Sequence, residues 1–156
     1  MKKAPAPDTT VCRNRRASHR FHVLEQLDCG IVLLGTEVKS LRERQASLEE
    51  AYARILDEEL WLIGFHIAPY RHGQTGAHDP LRRRKLLLHA RELRKLRPKV
   101  EQRGLTLVPL RVYFSPRGLA KVTLGLARGK SGADKRQDLK AREDRREMER
   151  AQRRRE

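Results

Sequence analysis

The chain has 156 residues, of which 38% are hydrophobic, 4% aromatic and 36% charged, so its length suits one domain with an appendage and its core must be small and mostly aliphatic. Its 36 Lys and Arg against 20 Asp and Glu give a formal net charge of +16, a self-repelling surplus that calls for a polyanion. A membrane role is disfavoured: no run approaches the ~18 apolar residues of a spanning helix, the N-terminus lacks a signal-peptide core, and the basic segment after Arg128 has no aromatic anchor; a cytoplasmic location is expected.

Residues 1–13 contain Pro5 and Pro7 and few apolar side chains, which predicts a flexible leader. From Phe21 the text is strand-like: Phe21, Val23 and Leu27 share one face, interrupted by Glu25, with His22, Leu24 and Gln26 opposite. Asp28-Cys29-Gly30 then predicts a turn before the apolar run 31–35, hence a β-hairpin. Cys12 and Cys29 form no CxxC pair and read as two unrelated reduced thiols. Val38 and Leu41, three apart, predict one short helix over 36–42.

Segments 51–55 and 60–67 return to strand composition, with Asp57-Glu58-Glu59 as a hairpin loop between them. Trp61, Ile63, Phe65 and Ile67 alternate and predict a core stripe. A loop rich in Gly, His, Pro and Arg follows over 69–84. Residues 86–102 have helix-forming composition, with Leu86, Leu93 and Leu96 on one face, Pro98 limiting continuity and Gly104 as a C-terminal cap. Two more strands, 105–114 and 120–127, flank the turn sequence Ser115-Pro116-Arg117-Gly118. About six strands joined by tight turns, with two or three short flanking helices, predict a mainly β fold: an antiparallel Greek-key barrel of the oligonucleotide-binding class.

The tail, 131–156, is almost entirely charged, with Leu139 and Met148 as isolated apolar residues. It offers no stripe to dock on the barrel, and a helix polar all round is seldom stable alone. Helix-favouring pairs such as Asp138 and Arg142 are balanced by opposing ones such as Glu143 and Glu147. A tail disordered when free and helical along a polyanion is expected.

Catalytic signals are missing. The six histidines show neither HExxH spacing nor a CxxC companion, so no metal site is expected. Asp79, before Pro80, reads as a turn residue rather than an acid–base partner of His78. Gly129-Lys130-Ser131 matches only the end of a phosphate-binding loop. No nucleophile has an evident base, so neither enzyme activity nor a cofactor is expected.

Three segments carry a family resemblance: Asn14-Arg15-Arg16-Ala17 with His19; Gly35-Thr36-Glu37-Val38-Lys39-Ser40-Leu41-Arg42; and the run from Asp79 to Leu88. Followed by Gly129-Lys130 and Asp134-Lys135-Arg136, they resemble the SsrA-binding protein family, SmpB, from about Asn14 to the end. The resemblance implies an oligonucleotide-binding-type barrel over 14–128 with a basic tail over 129–156. It also implies binding of tmRNA (SsrA RNA), delivery to stalled ribosomes and support of trans-translation, with elongation factor Tu and alanyl-tmRNA in the same complex and the protein a monomer. The tail of such proteins enters the empty mRNA channel of the small subunit, at the decoding centre, and folds there as a helix.

The family's RNA-binding positions match Asn14, Leu87 and Lys121, with Asp28 where Glu is usual. Arg15, Arg16, His19, Glu37, Lys39 and Arg42 fall within the matching motifs and join them as implied RNA-binding residues. Gly129, Lys130, Asp134, Lys135 and Arg136 are the implied ribosome-engaging root of the tail. Ser131 and Ala133 depart from the family pattern of Lys and of an aromatic or His. Few aromatics are left for base stacking, whereas Lys, Arg, Asn and acidic acceptors suit a folded RNA read by shape, phosphates and 2′-hydroxyls. Several alternatives stay open on the residues alone. Glu37 pairs with a nearby cation and closes the barrel; Leu87 is a core residue; Arg82, Arg83 and Arg84 are either RNA-facing or a solvated loop. A structural or assembly protein on ribosomal RNA is the other function the charge allows.

Overall fold

The computed structural model describes residues 9–72, 77–102 and 104–155. Its elements in chain order are β1 (Thr10–Arg13), α1 (Ala17–Arg20), β2 (Phe21–Ile31), α2 (Gly35–Arg42), β3 (Ala46–Ser47), β4 (Tyr52–Leu56), β5 (Glu59–Ile63), β6 (His66–Ile67), β7 (Arg84–Leu87), α3 (Ala90–Glu101), β8 (Leu105–Phe114), β9 (Ala120–Gly129) and α4 (Gly132–Arg155). All strand pairings are antiparallel. The order β8-β4-β5-β7-β2-β9 returns to β8, so six strands close the expected barrel and hide their edges. β1 adds to β8 beyond the point where β4 meets it, and β3 with β6 forms a separate small ladder.

Two turns follow directly from local chemistry. Asp57 and Glu58 take positive φ (50° and 62°) between paired Leu56 and Glu59, the geometry a two-residue hairpin demands. The predicted loop is therefore one residue shorter, because Glu59 already belongs to the ladder. Ser115 to Gly118 turns β8 into β9, with Gly118 at φ 79° and its N–H donating to the Ser115 carbonyl at 2.8 Å.

Five expectations are corrected. Asp28-Cys29-Gly30 is no turn: β2 runs unbroken through it, and Gly30 serves close approach instead, since a Cβ there would lie 3.2 Å from Leu87 Cβ. A bulge between Val23 and Glu25 re-phases this strand. Phe21 and Val23 consequently pack on a small cluster with Ala17, Val108 and Ala127, while Leu27, Cys29 and Ile31 join the main core. In β5 the buried side chains are Leu60 and Leu62, not Trp61 and Ile63; the chain changes phase at Gly64 (φ 77°), so Phe65 and Ile67 are buried as expected. Leu86 sits on a strand rather than on the helix, which starts only at Ala90 and continues past Pro98 to Glu101. The leader's residues 1–8 lie outside the described residues, but Thr10–Arg13 is β1, so the body begins before Asn14.

The core is aliphatic, as the composition requires. Leu62, Leu107, Val112, Val122 and Leu124 line the barrel with no exposure, and Phe65 is its one fully enclosed aromatic among the described residues. Helix α2 buries Leu41 in the main core, and α3 adds Leu93, Leu96 and Val100. Gly64 tests the phase change. A Cβ at this position would stand 2.6 Å from the Glu50 carbonyl oxygen on a left-handed backbone. Gly64→Ala should therefore destabilise by about 1–3 kcal/mol in urea unfolding. Gly35→Ala, which meets nothing within 4 Å inside α2, should be stabilising by about 0.4–1 kcal/mol.

Candidate nucleic-acid interface

The conspicuous charge of the body lies inside it. Glu37 and Arg84 are both fully enclosed, and Arg84 Nε donates to Glu37 Oε2. Arg82 Nη2 donates to Glu37 Oε1 at 2.6 Å, and the Leu34 N–H donates to the same oxygen at 2.8 Å. Arg84 also caps the Phe65 and Pro80 carbonyls. Burial would raise the Glu37 carboxyl, but hydrogen bonds from Arg82, the Leu34 N–H and Arg84 outweigh it and hold the group below its ordinary value of 4.5. Glu37 thus has no surface to offer RNA and closes the barrel instead. The Arg82–Arg84 run is neither an RNA-facing cluster nor a solvated loop: only Arg83 is exposed. His78 is spent in the same region, with Nε2 3.0 Å from the Ile67 carbonyl and Nδ1 3.0 Å from the Thr36 hydroxyl. Asp79 makes the expected turn, accepting from the Leu81 N–H at 2.9 Å.

The outward face of β7, β2, β9 and β8 gathers three of the sequence-predicted residues. Gly30 pairs with Leu87 on one side and Lys121 on the other, which sets the three in one cross-strand row. Leu87 is 51% exposed, so it is not core. With Asp28, His89, Glu92 and Leu119 these residues line a groove of about 430 Å³. Asp28 accepts from the Thr123 hydroxyl at 2.7 Å, and Arg111 Nε donates to that hydroxyl at 3.2 Å. Arg111 lies 4.3 Å over the Tyr113 ring, and burial followed by the charge of Asp28 raises the Tyr113 hydroxyl above its ordinary value of 10. Thr123, Arg111 and Tyr113 escaped the sequence reading. Strand alternation places them outward, but only cross-strand register shows that they meet Asp28. Behind this face, burial followed by the charge of Asp28 pushes the Cys29 thiol up to about 12, leaving it protonated and unreactive at neutral pH.

The other predicted residues lie elsewhere. Asn14 donates through Nδ2 to the Pro109 and Leu48 carbonyls, stapling the β1–α1 link to β8 and to the loop after β3. Arg15 and Arg16 are exposed in the following turn, Arg16 within 3.8 Å of Glu49 and 3.9 Å of Glu50, and His19 is half-buried on α1. Lys39 and Arg42 project from α2, Lys39 5.3 Å over Tyr70 and Arg42 4.5 Å over Phe114.

The tail leaves from β9 at Gly129. Residues 132–155 form helix α4, which carries the predicted Asp134, Lys135 and Arg136 in its first turns. The Lys130 N–H donates to the Arg20 carbonyl at 2.8 Å, and its ammonium bridges the Ser18 carbonyl and Asp138. Arg142 reaches the Ser18 hydroxyl at 3.2 Å. Beyond this root the described side chains are exposed. Among the described residues, no helix is long and apolar enough to cross a membrane and no group of three metal-ligating side chains assembles.

Comparison with known proteins matches residues 11–154 to the family model described as SmpB protein. The SsrA-binding protein of Thermosynechococcus vestitus is 57% identical over 139 residues, covering 88% of this chain and 91% of that one. That of Syntrophobacter fumaroxidans is 50% identical over 145 residues, 93% and 89% of the respective chains. A solved structure described as "tmRNA-SmpB: a journey to the center of the bacterial ribosome" superposes with TM-score 0.67 at 52% identity, over 81% of this chain and 92% of its own.

The buried Glu37 makes a direct test of the barrel closure. Glu37→Gln keeps the shape but leaves Arg84 enclosed without a counter-charge, and should cost about 3–5 kcal/mol in urea unfolding. Because the folded-state carboxyl sits below its ordinary value, its contribution is complete above the ordinary glutamate range and is lost as pH falls through the lower, folded-state value. Glu37→Gln should lack that part of the acid dependence, which a stability series from pH 6 downwards, to about pH 3, reads directly.

Proposed function

The chain belongs to the SmpB protein family, and from that membership we propose that it binds tmRNA and delivers it to stalled ribosomes. There it supports trans-translation, which frees the ribosome and tags the unfinished peptide for degradation. The observation that carries this reading is the near full-length likeness to SsrA-binding proteins, joined by the likeness to a tmRNA–SmpB structure on the bacterial ribosome.

The geometry supports a division of labour. The barrel body binds tmRNA, with Asp28, Leu87 and Lys121 meeting along one outward groove. Asn14 holds Arg15, Arg16 and His19 in place beside the barrel, and Lys39 and Arg42 add exposed charge from α2. Phosphates and ribose hydroxyls of a folded RNA match such donors and acceptors better than unstacked bases do. The tail from Gly129, through Lys130, Lys135 and Arg136, engages the small subunit at the decoding centre and lies in the mRNA channel as a helix. Its all-polar surface suits a conduit walled by RNA phosphates. The protein acts as a binding partner, not an enzyme. It works in the cytoplasm as a monomer, in one complex with alanyl-tmRNA and elongation factor Tu.

Truncation separates the two parts. Because Lys130 is still bonded to α1, the cut belongs after Ser131. The shortened protein should bind free tmRNA nearly as tightly as the whole chain in a gel-shift titration, yet give no peptide tagging in a reconstituted translation reaction. Tagging that persists would remove the role of the tail. If the body neutralises about five phosphates, log affinity should fall with log salt at a slope of about −3.5 to −4.5.

A further inference from the structure

A second groove of about 420 Å³ lies across Asp28 from the Leu87–Lys121 groove, lined by Arg13, Gln26, Asp28, Arg111 and Thr123 among others. We propose that this groove is a ribose–phosphate site for the same RNA, with Arg111 contacting the phosphate and Asp28 orienting Arg111 through the Thr123 hydroxyl. The proposal rests on the tmRNA-binding reading and extends it to residues with no assigned role.

The hydrogen-bond directions follow from chemistry alone. A guanidinium only donates, so Thr123 Oγ1 accepts from Arg111 Nε and spends its own hydrogen on Asp28 Oδ1. Arg111 Nη1 donates to the Thr10 hydroxyl at 3.2 Å, and the guanidinium plane rests on Tyr113. One edge and one face of the group are thereby fixed, while Nη2 makes no hydrogen bond among the described residues. A donor held this way loses little freedom on binding, and a planar fork suits a phosphate better than a mobile ammonium does.

Arg111 makes no direct ion pair among the described residues, which leaves its free edge open to an anion. Arg82, Arg84, Arg16 and Arg97 each have a carboxylate within 4 Å. Arg111 has only hydroxyl partners and a ring. Arg13 stands directly opposite Arg111 across the β1–β8 ladder and lines the same groove. Asp28 at the rim would repel an acidic peptide, but it accepts a hydrogen bond from a 2′-hydroxyl. Donors for phosphate beside an acceptor for ribose are the combination RNA supplies. Because Asp28 walls both grooves, one strand can cross from one to the other.

The test is equilibrium binding of full-length tmRNA to the whole chain, comparing wild type with Arg111→Gln, Arg111→Lys, Thr123→Val and the Thr123→Val/Arg111→Gln double variant. Arg111→Gln should weaken binding by about tenfold and make the salt slope shallower by about 0.7–0.9. Arg111→Lys should keep the slope but lose affinity, which also serves if the glutamine variant folds poorly. Thr123→Val should weaken binding several-fold with the slope unchanged, and the double variant should lose no more than Arg111→Gln alone. Wild-type affinity in both Arg111 variants overturns the site, and additive losses in the double variant overturn the relay through Thr123. A wild-type protein that does not bind tmRNA overturns the parent reading instead.

Discussion

One carboxylate joins parts of the chain that apolar packing leaves separate. Glu37 draws α2 onto Arg84 of β7 and onto Arg82 of the preceding loop, while Arg84 reaches the Phe65 and Pro80 carbonyls. A buried ion pair is costly unless its remaining donors and acceptors are met, and here the Leu34 N–H and two carbonyls complete most of the set. In a chain this short of large apolar side chains, the barrel end is closed by a polar joint. The joint also has an outward effect. With one face of α2 pinned, Lys39 and Arg42 are left on the other, each beside an aromatic ring.

What was legible in the sequence was what depends on near neighbours. The α2 helix, the Asp57-Glu58 hairpin and the Ser115 to Gly118 turn all follow from a few adjacent residues. Misreadings arose where one residue type serves two purposes. Gly30 suggests a turn, yet it allows Leu87 to approach. Leu86-Leu87-Leu88 suggests a helix face, yet alternation on a strand buries Leu86 and exposes Leu87. For Glu37 both an RNA-binding role and barrel closure stayed open, because nothing local reveals that Arg84, 47 positions away, is also enclosed. The family motifs pointed to Asp28, Leu87 and Lys121, and the structure brings them to one groove. The same motifs included Glu37, which lies inside.

The distribution of charge differs from the impression left by the tail. Residues 129–156 combine 11 basic with 7 acidic side chains, so most of the +16 surplus belongs to the body. Outward positions of β8 and β9 alternate with a fully apolar interior, so the same pleat that buries Val112, Val122 and Leu124 turns Arg111, Lys121 and the covered Thr123 to the other side. Core and charged face are therefore two sides of one register. A one-residue slip in β9 would exchange them and destroy both.

The anchoring of Lys130 between Ser18 and Asp138 gives the molecule a lever. A 24-residue helix extends about 36 Å from its base, so a tilt of about 10° at that pivot carries the far tip about 6 Å. Small differences in how one ammonium is seated next to α1 are thus magnified over the full length of the appendage. Aim, more than grip, is decided at the pivot.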